Sequence, residues 1–185
     1  MKLYGSYTSP FVRHCRIVLL ESQEDFEFIE TDQASSAVKS PTQRVPFLED
    51  GKIFLTDSSS IIKYLREKAG QAFCQSAQEL DNLCLVNTAL DATVNLFFLN
   101  RDGVDIEQVP YLQRQAARIQ STLAELNQLK LAGSAPYNDT ELRLACFIGW
   151  AKFRKQLEFS GFDNLEAFYA GVLKYPFFQA TEPPQ

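Results

Sequence analysis

Residues 1–20, MKLYGSYTSPFVRHCRIVLL, decide how the rest of the chain is read. Lys2 to Tyr4 reads as a short strand and Gly5 to Thr8 as a turn. Ser9-Pro10 is a helix start. Ser is a good N-cap, and Pro is tolerated at the first helical position because its missing N–H would have no partner there. Phe11, Cys15, Val18 and Leu19 then follow the i, i+4, i+7, i+8 spacing of one buried helix face. A strand therefore runs through a short loop into a helix with a hydroxyl at its mouth. Free N–H groups and the positive end of the helix dipole make that mouth favourable for an anion, and a thiolate is one such anion. Taken alone, Ser9 reads as a cap; what gives it further meaning lies later in the chain.

The 185 residues are 45% hydrophobic, which suits one domain or two small ones with real cores. The net charge is −5, and no basic run is interleaved with aromatics, so no nucleic-acid partner is expected. No apolar run approaches the ~20 residues of a membrane span, and the N-terminus does not read as a signal peptide. The expectation is a cytoplasmic protein without a membrane partner. The four cysteines (Cys15, Cys74, Cys84 and Cys146) are scattered, none in a C-x-x-C pair, and His14 is the single histidine, so no metal site is expected. Each cysteine reads first as a small buried hydrophobe. Cys15, on the buried face of the first helix, is also a possible redox thiol. His14 is expected to be partly exposed on that helix.

Along the chain, FEFIET (26–31) is a second strand, so the first helix closes a β-α-β unit with parallel pairing. Residues 33–43 are polar and read as a loop or a poorly formed helix. RVPFLE (44–49) reads as a strand whose Pro46 belongs at an edge or a special bend. Asp50-Gly51 is a hairpin turn, and KIFLT (52–56) is the returning strand. Asp57-Ser58-Ser59-Ser60 then caps a helix with Ile61, Ile62, Tyr64 and Leu65 on its apolar face. This order predicts a four-stranded mixed sheet, an α/β thioredoxin-like arrangement over residues 1–75. From 76 to 185 the chain reads as an all-α second domain. Its stripes begin at Leu80 and near Pro110, with a break at Asn100 to Asp105. Asn138-x-x-Glu141 is a capping box before the apolar LRLACFIGWAKF. Asp163-x-x-Glu166 caps a last helix, which Tyr175-Pro176 ends, and the TEPPQ tail is expected to be extended.

YTSPFVRHCRI, RVPFLEDGKIF, TDSSSIIKYL and NDTELRLACFIGW, in that order and spacing, resemble the glutathione S-transferases. The Ser-Pro-Phe start is similar to the tau-type plant enzymes and to bacterial transferase-like proteins with a Thr-Glu-Pro-Pro tail. The resemblance implies a thioredoxin-like glutathione-binding domain followed by a helical domain on the co-substrate side. It places Ser9 at the catalytic hydroxyl. It makes Pro46 a cis proline that exposes the backbone of Val45 to pair with the cysteinyl part of glutathione. It assigns Asp57 to the γ-glutamyl ammonium, Ser58 with the helix amides to the α-carboxylate, and Arg44 to the glycyl carboxylate. Tyr7 is a second candidate hydroxyl, and Tyr4 reads as sheet packing.

Two departures stand out. SPTQR replaces the family's usual Asn-Pro-x-Gly-Lys lead-in, and the second domain is shorter than usual. The implied activity is conjugation of glutathione, as co-substrate and without any cofactor, to a small hydrophobic electrophile, in a detoxification-type reaction by a homodimer. Ser9 would stabilise the thiolate, and Phe11, Phe97 and Phe98 are candidates to line the electrophile side. The alternatives are glutathione-dependent peroxide or disulfide reduction, which requires a reachable Cys15, and a transferase-fold binding protein without turnover.

Overall fold

The computed structural model describes residues 1–184, Gln33 in its backbone only. Gln185, the last residue of the expected second domain, lies outside the described residues. The elements are β1 (Lys2–Gly5), α1 (Pro10–Glu21), β2 (Glu27–Glu30), α2 (Gln33–Lys39), β3 (Phe47–Asp50), β4 (Ile53–Leu55), α3 (Ser58–Lys68), α4 (Ala77–Arg101), a 3-10 turn (Ile106–Gln108), α5 (Pro110–Leu126), α6 (Asp139–Phe153), α7 (Asp163–Val172) and α8 (Pro176–Ala180). They form two compact units. The first is Met1–Phe73 together with the chain from Leu173 onward, and the second is Cys74–Val172. The expected division at 75/76 left the chain end with the helical part; the structure groups it with the first unit instead.

In the first unit the sheet order is β2-β1-β3-β4, with β1 parallel to β2 and antiparallel to β3, and β3 antiparallel to β4. Alternation along the strands gives each face its own residues. Leu3 sits opposite Leu48 on one face, where both pack with Cys15, Val18 and Leu19 of α1 and Ile61, Ile62 and Leu65 of α3. Removing each such side chain from water is worth about 1.5–3 kcal/mol, so this cluster holds both helices to the sheet. Tyr4 sits opposite Phe47, and their rings stack at 4.5 Å between centroids. Lys39 of α2 lies over the Tyr4 ring at 4.9 Å. The 33–43 stretch is therefore partly a helix, capped by the Asp32 carboxylate, which accepts from the Ser35 N–H at 2.7 Å.

β3 starts at Phe47, so Arg44, Val45 and Pro46 precede the ladder, and the Val45–Pro46 bond is cis. Pro46 thus occupies a bend and not an edge strand, since β3 is an inner strand. Gly51 has φ +61°, as the hairpin turn requires. Tyr64 and Lys68 of α3 both donate to Asp50 Oδ2, at 2.7 and 2.9 Å, tying the helix to the hairpin.

In the helical unit, α6 is buried continuously from Asp139 to Ala151, as an apolar central helix should be. Its capping box is complete: Asn138 Oδ1 accepts from the Glu141 N–H at 2.9 Å, and Glu141 Oε2 accepts from the Asn138 N–H at 2.9 Å. The Ala135–Pro136 bond before it is also cis. Asp163 lies inside the first turn of α7. The 25-residue α4 is long and apolar enough by length and composition to cross a membrane, contrary to the expectation from the sequence. It carries Asp81 and Asp91, however, and buries Leu83, Val86, Ala89 and Leu90. Just before the TEPPQ tail, Pro176–Ala180 forms a short helix against α1 that the sequence reading did not expect.

Two stability predictions follow from the first unit. A Cβ on Gly5 would lie 2.5 Å from Val12 Cγ1, so β1 and α1 meet here at a distance only glycine permits. Gly5→Ala is expected to lower unfolding free energy by about 1–3 kcal/mol in urea titration, as overpacking does. The Asp50 carboxyl is held below the usual carboxylate range, first by the Lys68 hydrogen bond and then by that of Tyr64. A depressed folded pKa contributes stability that is present above the unfolded value of ~3.9 and lost as pH falls through the folded value. Asp50→Asn should therefore be less stable than wild type at pH 7, with the difference in Tm closing below about pH 4.

Candidate active site

Strand direction brings the key residues to one end of the sheet. β1 and β2 are parallel, so the Gly5 and Glu30 ends lie together. β3 runs the other way, which puts its start, and Val45–Pro46 just before it, at the same end. β4 reverses again, so Leu55 and the Asp57 cap that follows return there. The Cys15 thiol donates to the Ser58 carbonyl at 3.9 Å, linking the second turn of α1 to the start of α3. Two helix N-termini and an unladdered backbone segment thus face one place. Neither helix has an acidic residue in its first turn. Nothing in those turns opposes an anion at the dipoles' positive ends.

Ser9 is the N-cap of α1, with extended backbone angles. Its Oγ accepts from the Val12 N–H at a long 3.4 Å, and its carbonyl accepts from the Arg13 N–H at 3.0 Å. The hydroxyl proton donates to no group among the described residues. The loop before it is shaped by Ser6 and Thr8, whose hydroxyls meet at 3.1 Å, and by the Ser9 N–H donating to Ser6 O at 3.1 Å.

Val45 is half-buried and Pro46 buried. The Val45 N–H and C=O enter none of the turn, loop or cap hydrogen bonds among the described residues. Arg44 is exposed and pairs with no acid among the described residues. Asp57 caps α3 with one oxygen only: Oδ1 accepts from the Ser59 and Ser60 N–H groups at 2.8 and 3.1 Å. Oδ2 has no partner among the described residues. Two of the amides expected to be free for a ligand are therefore already used by the cap. Ser58 is buried at the first position of the helix.

Of the other residues singled out in the sequence, Cys15 is buried and Tyr4 packs in the sheet as expected, whereas His14 departs from the expectation. His14 is fully buried, not partly exposed, because burial runs well beyond one face of α1. Cys15 is also fully buried, inside the sheet–helix core, so it offers no reachable thiol. The Tyr7 ring packs at 4.6 Å from Phe28, with the Arg16 guanidinium 4.8 Å above it. The Tyr4 hydroxyl donates to Glu49 Oε2 at 2.8 Å, which together with burial pushes its pKa up. Phe11 is half-buried on the first turn of α1. Phe97 meets Trp150 edge-on at 5.6 Å and Phe98 at 5.3 Å, with Arg154 over its ring, so it belongs to an aromatic cluster of the helical unit. Phe98 is exposed. That unit has its own apolar cleft of about 340 Å³, lined by Thr93, Leu96, Ile106, Ile119 and Gln156 among others, and neither phenylalanine lines it.

Residues 3–73 match the family model "Glutathione S-transferase, N-terminal domain". Over that stretch the chain is similar to the glutathione S-transferases. Over its whole length it is 28% identical to the uncharacterized GST-like protein YibF of Escherichia coli K12, all of which is also covered. The fold matches a glutathione transferase family member from Pseudomonas fluorescens Pf-5 with bound glutathione (TM-score 0.86, 22% identity, 100% of this chain and 99% of that one). It also matches a glutathione S-transferase from Methylobacillus flagellatus KT with bound glutathione (TM-score 0.83, 23% identity, 99% of both chains).

The site yields two checks. Replacing Asp57 by Ala removes an N-cap and should cost about 0.5–2 kcal/mol in thermal or denaturant unfolding, while Asp57→Asn keeps the cap and most of that stability. Burial pushes the Cys74 thiol up to about 12, whereas Cys84 is exposed. A maleimide at pH 8 should therefore modify Cys84 first, read by peptide mass. Cys15 and Cys146, both buried, should react only on unfolding.

Proposed function

We propose that this chain is a glutathione transferase that binds glutathione at the shared end of the sheet and ionises its thiol for attack on a small hydrophobic electrophile. The observation carrying this reading is the meeting of the α1 and α3 N-termini beside the unladdered Val45 backbone. The Val45 N–H and C=O suit strand-like pairing with the cysteinyl residue. Asp57 Oδ2 is the acceptor for the γ-glutamyl ammonium, and Ser58 and the α3 mouth take the α-carboxylate. Exposed Arg44 is the cation for the glycyl carboxylate.

The cysteinyl sulfur then lies toward Ser9. A free thiol with a pKa of ~8.5 is only a few per cent ionised at neutral pH. The Ser9 hydroxyl donates to the sulfur, and the α1 dipole adds positive potential there. A charge-assisted hydrogen bond worth ~1.5–3 kcal/mol lowers the thiol pKa by about one to two units. The thiol proton goes to solvent. The sulfur lone pair forms a bond to the electrophilic carbon as the leaving group departs with its electron pair. Ser9 is a donor to the nucleophile and neither a base nor a nucleophile itself. The redox alternative loses its support because Cys15 is fully buried.

The protein is proposed to act in the cytoplasm as a homodimer. Exposed Ile53 and Phe54 on the sheet-edge strand β4 support a pairing surface. Glutathione titrated by calorimetry, with the thiolate absorbance of the bound tripeptide followed against pH, tests the chemistry. Wild type should ionise the bound thiol about one unit or more below ~8.5, and Ser9→Ala should bind glutathione but lose that shift. Binding without a shift in wild type would leave a binding protein without transferase chemistry.

A further inference from the structure

We infer that the last segment of the chain acts, through Arg13, as a clamp that fixes the first turn of α1 and with it the Ser9 hydroxyl; this rests on the role proposed above for Ser9. Arg13 is a positioning residue here. Its side chain is almost fully buried, and among the described residues no acidic side chain pairs with it. Its Nη2 donates to the Phe178 carbonyl at 2.7 Å and its Nε to Thr181 Oγ1 at 3.3 Å, and the guanidinium lies 3.6 Å from the centroid of the Phe178 ring. Phe178 and Thr181 are themselves buried. Thr181 Oγ1 in turn donates back to the Phe177 or Phe178 carbonyl, at 2.9 and 3.1 Å.

The grip extends along α1. One turn on, Arg16 Nη1 donates to the Thr181 carbonyl at 3.4 Å. At the far end, Glu21 accepts from the Tyr175 hydroxyl at 2.6 Å and pairs with Arg66 of α3 at 2.7 Å. One side of α1 is thus held by the sheet and α3, and another by residues 175–181. On the sheet side, Val12 packs against Gly5 of β1 in the first turn, and Cys15, Val18 and Leu19 hold the helix beyond it. Among the contacts to the terminal segment Arg13 is the nearest to the mouth, and its own N–H closes the first turn onto Ser9 O at 3.0 Å. A hydroxyl that must donate to a sulfur works only within a narrow range of distance and angle. Ser9 makes one long cap bond of 3.4 Å, so its position follows that of the turn.

The test uses Arg13→Lys and Thr181→Val in the full chain. Lys keeps the charge but loses the planar fork and the stacking, and Val keeps the shape of Thr without the hydroxyl. Amide exchange is measured on the unliganded proteins, and the ionisation of bound glutathione as above. The clamp predicts that protection of the Val12 and Arg13 amides falls about tenfold or more in both variants, while α3 amides such as Ile61 and Ile62 keep theirs. It also predicts that the bound thiol pKa rises by roughly half a unit or more, with glutathione affinity within a few-fold. Protection lost uniformly across α1 and α3, or a thiol pKa unchanged despite loosened Val12 and Arg13 amides, would overturn it. If wild type shows no thiol shift at all, the role of Ser9 fails, and the exchange pattern still decides whether the terminal segment holds the turn.

Discussion

The packing of α1 and α3 onto the Leu3–Leu48 face of the sheet is the constraint on which the rest of the first unit depends. Once both helices lie on that face, strand direction leaves no choice about where their N-termini point. β1 delivers the chain to the mouth of α1, and β4 delivers it to the mouth of α3 at the same end. The segment entering β3 arrives there as well. The proposed site for an acidic peptide would then follow from topology, with two helix dipoles and a stretch of unladdered backbone supplied before any charged side chain is considered. The side chains refine it. Asp57 spends one oxygen on the cap and leaves the other, and Ser9 caps its helix as an acceptor, which leaves its own proton unused by the cap.

Much of this was legible in the sequence because the signals were local. Ser9-Pro10, Asp57-Ser58 and Asn138-x-x-Glu141 are helix starts whose chemistry acts over three or four residues, and each cap is present. Asp50-Gly51 marked the hairpin, and the strand–helix order defined the mixed sheet. What was hidden depends on residues far apart. Nothing around Arg13 announces Phe178 and Thr181 as its partners, and a buried arginine in an amphipathic pattern reads as an exposed one. For the same reason His14 was expected at the surface and the tail was grouped with the helical part. Gly5 looked like a turn residue. Its importance is the close approach of Val12, which no spacing rule reports. The aromatic residues Phe97 and Phe98 could be placed on a helix from their spacing, but not turned toward a ligand or toward Trp150.

On the role proposed for Ser9, the first unit couples its stability to its chemistry. The hydrogen bonds that hold the chain end also hold α1, and α1 carries the hydroxyl. Glu21 joins Tyr175 on the terminal segment to Arg66 on α3, so both helices share one polar network. Such a network costs little when every member is satisfied and loosens together when one is lost. The helical unit contributes differently, through a central α6 buried along nearly its full length and an apolar cleft of its own.

The most direct measurement of the central claim is a backbone amide chemical-shift map of the protein titrated with glutathione. The account predicts that the largest shifts fall on Phe11 and Val12 in the first turn of α1, on Val45, and on Ser58 and its neighbours at the start of α3. Shifts confined to the α4–α5 cleft around Thr93 and Ile119, or no saturable shifts at all, would contradict it.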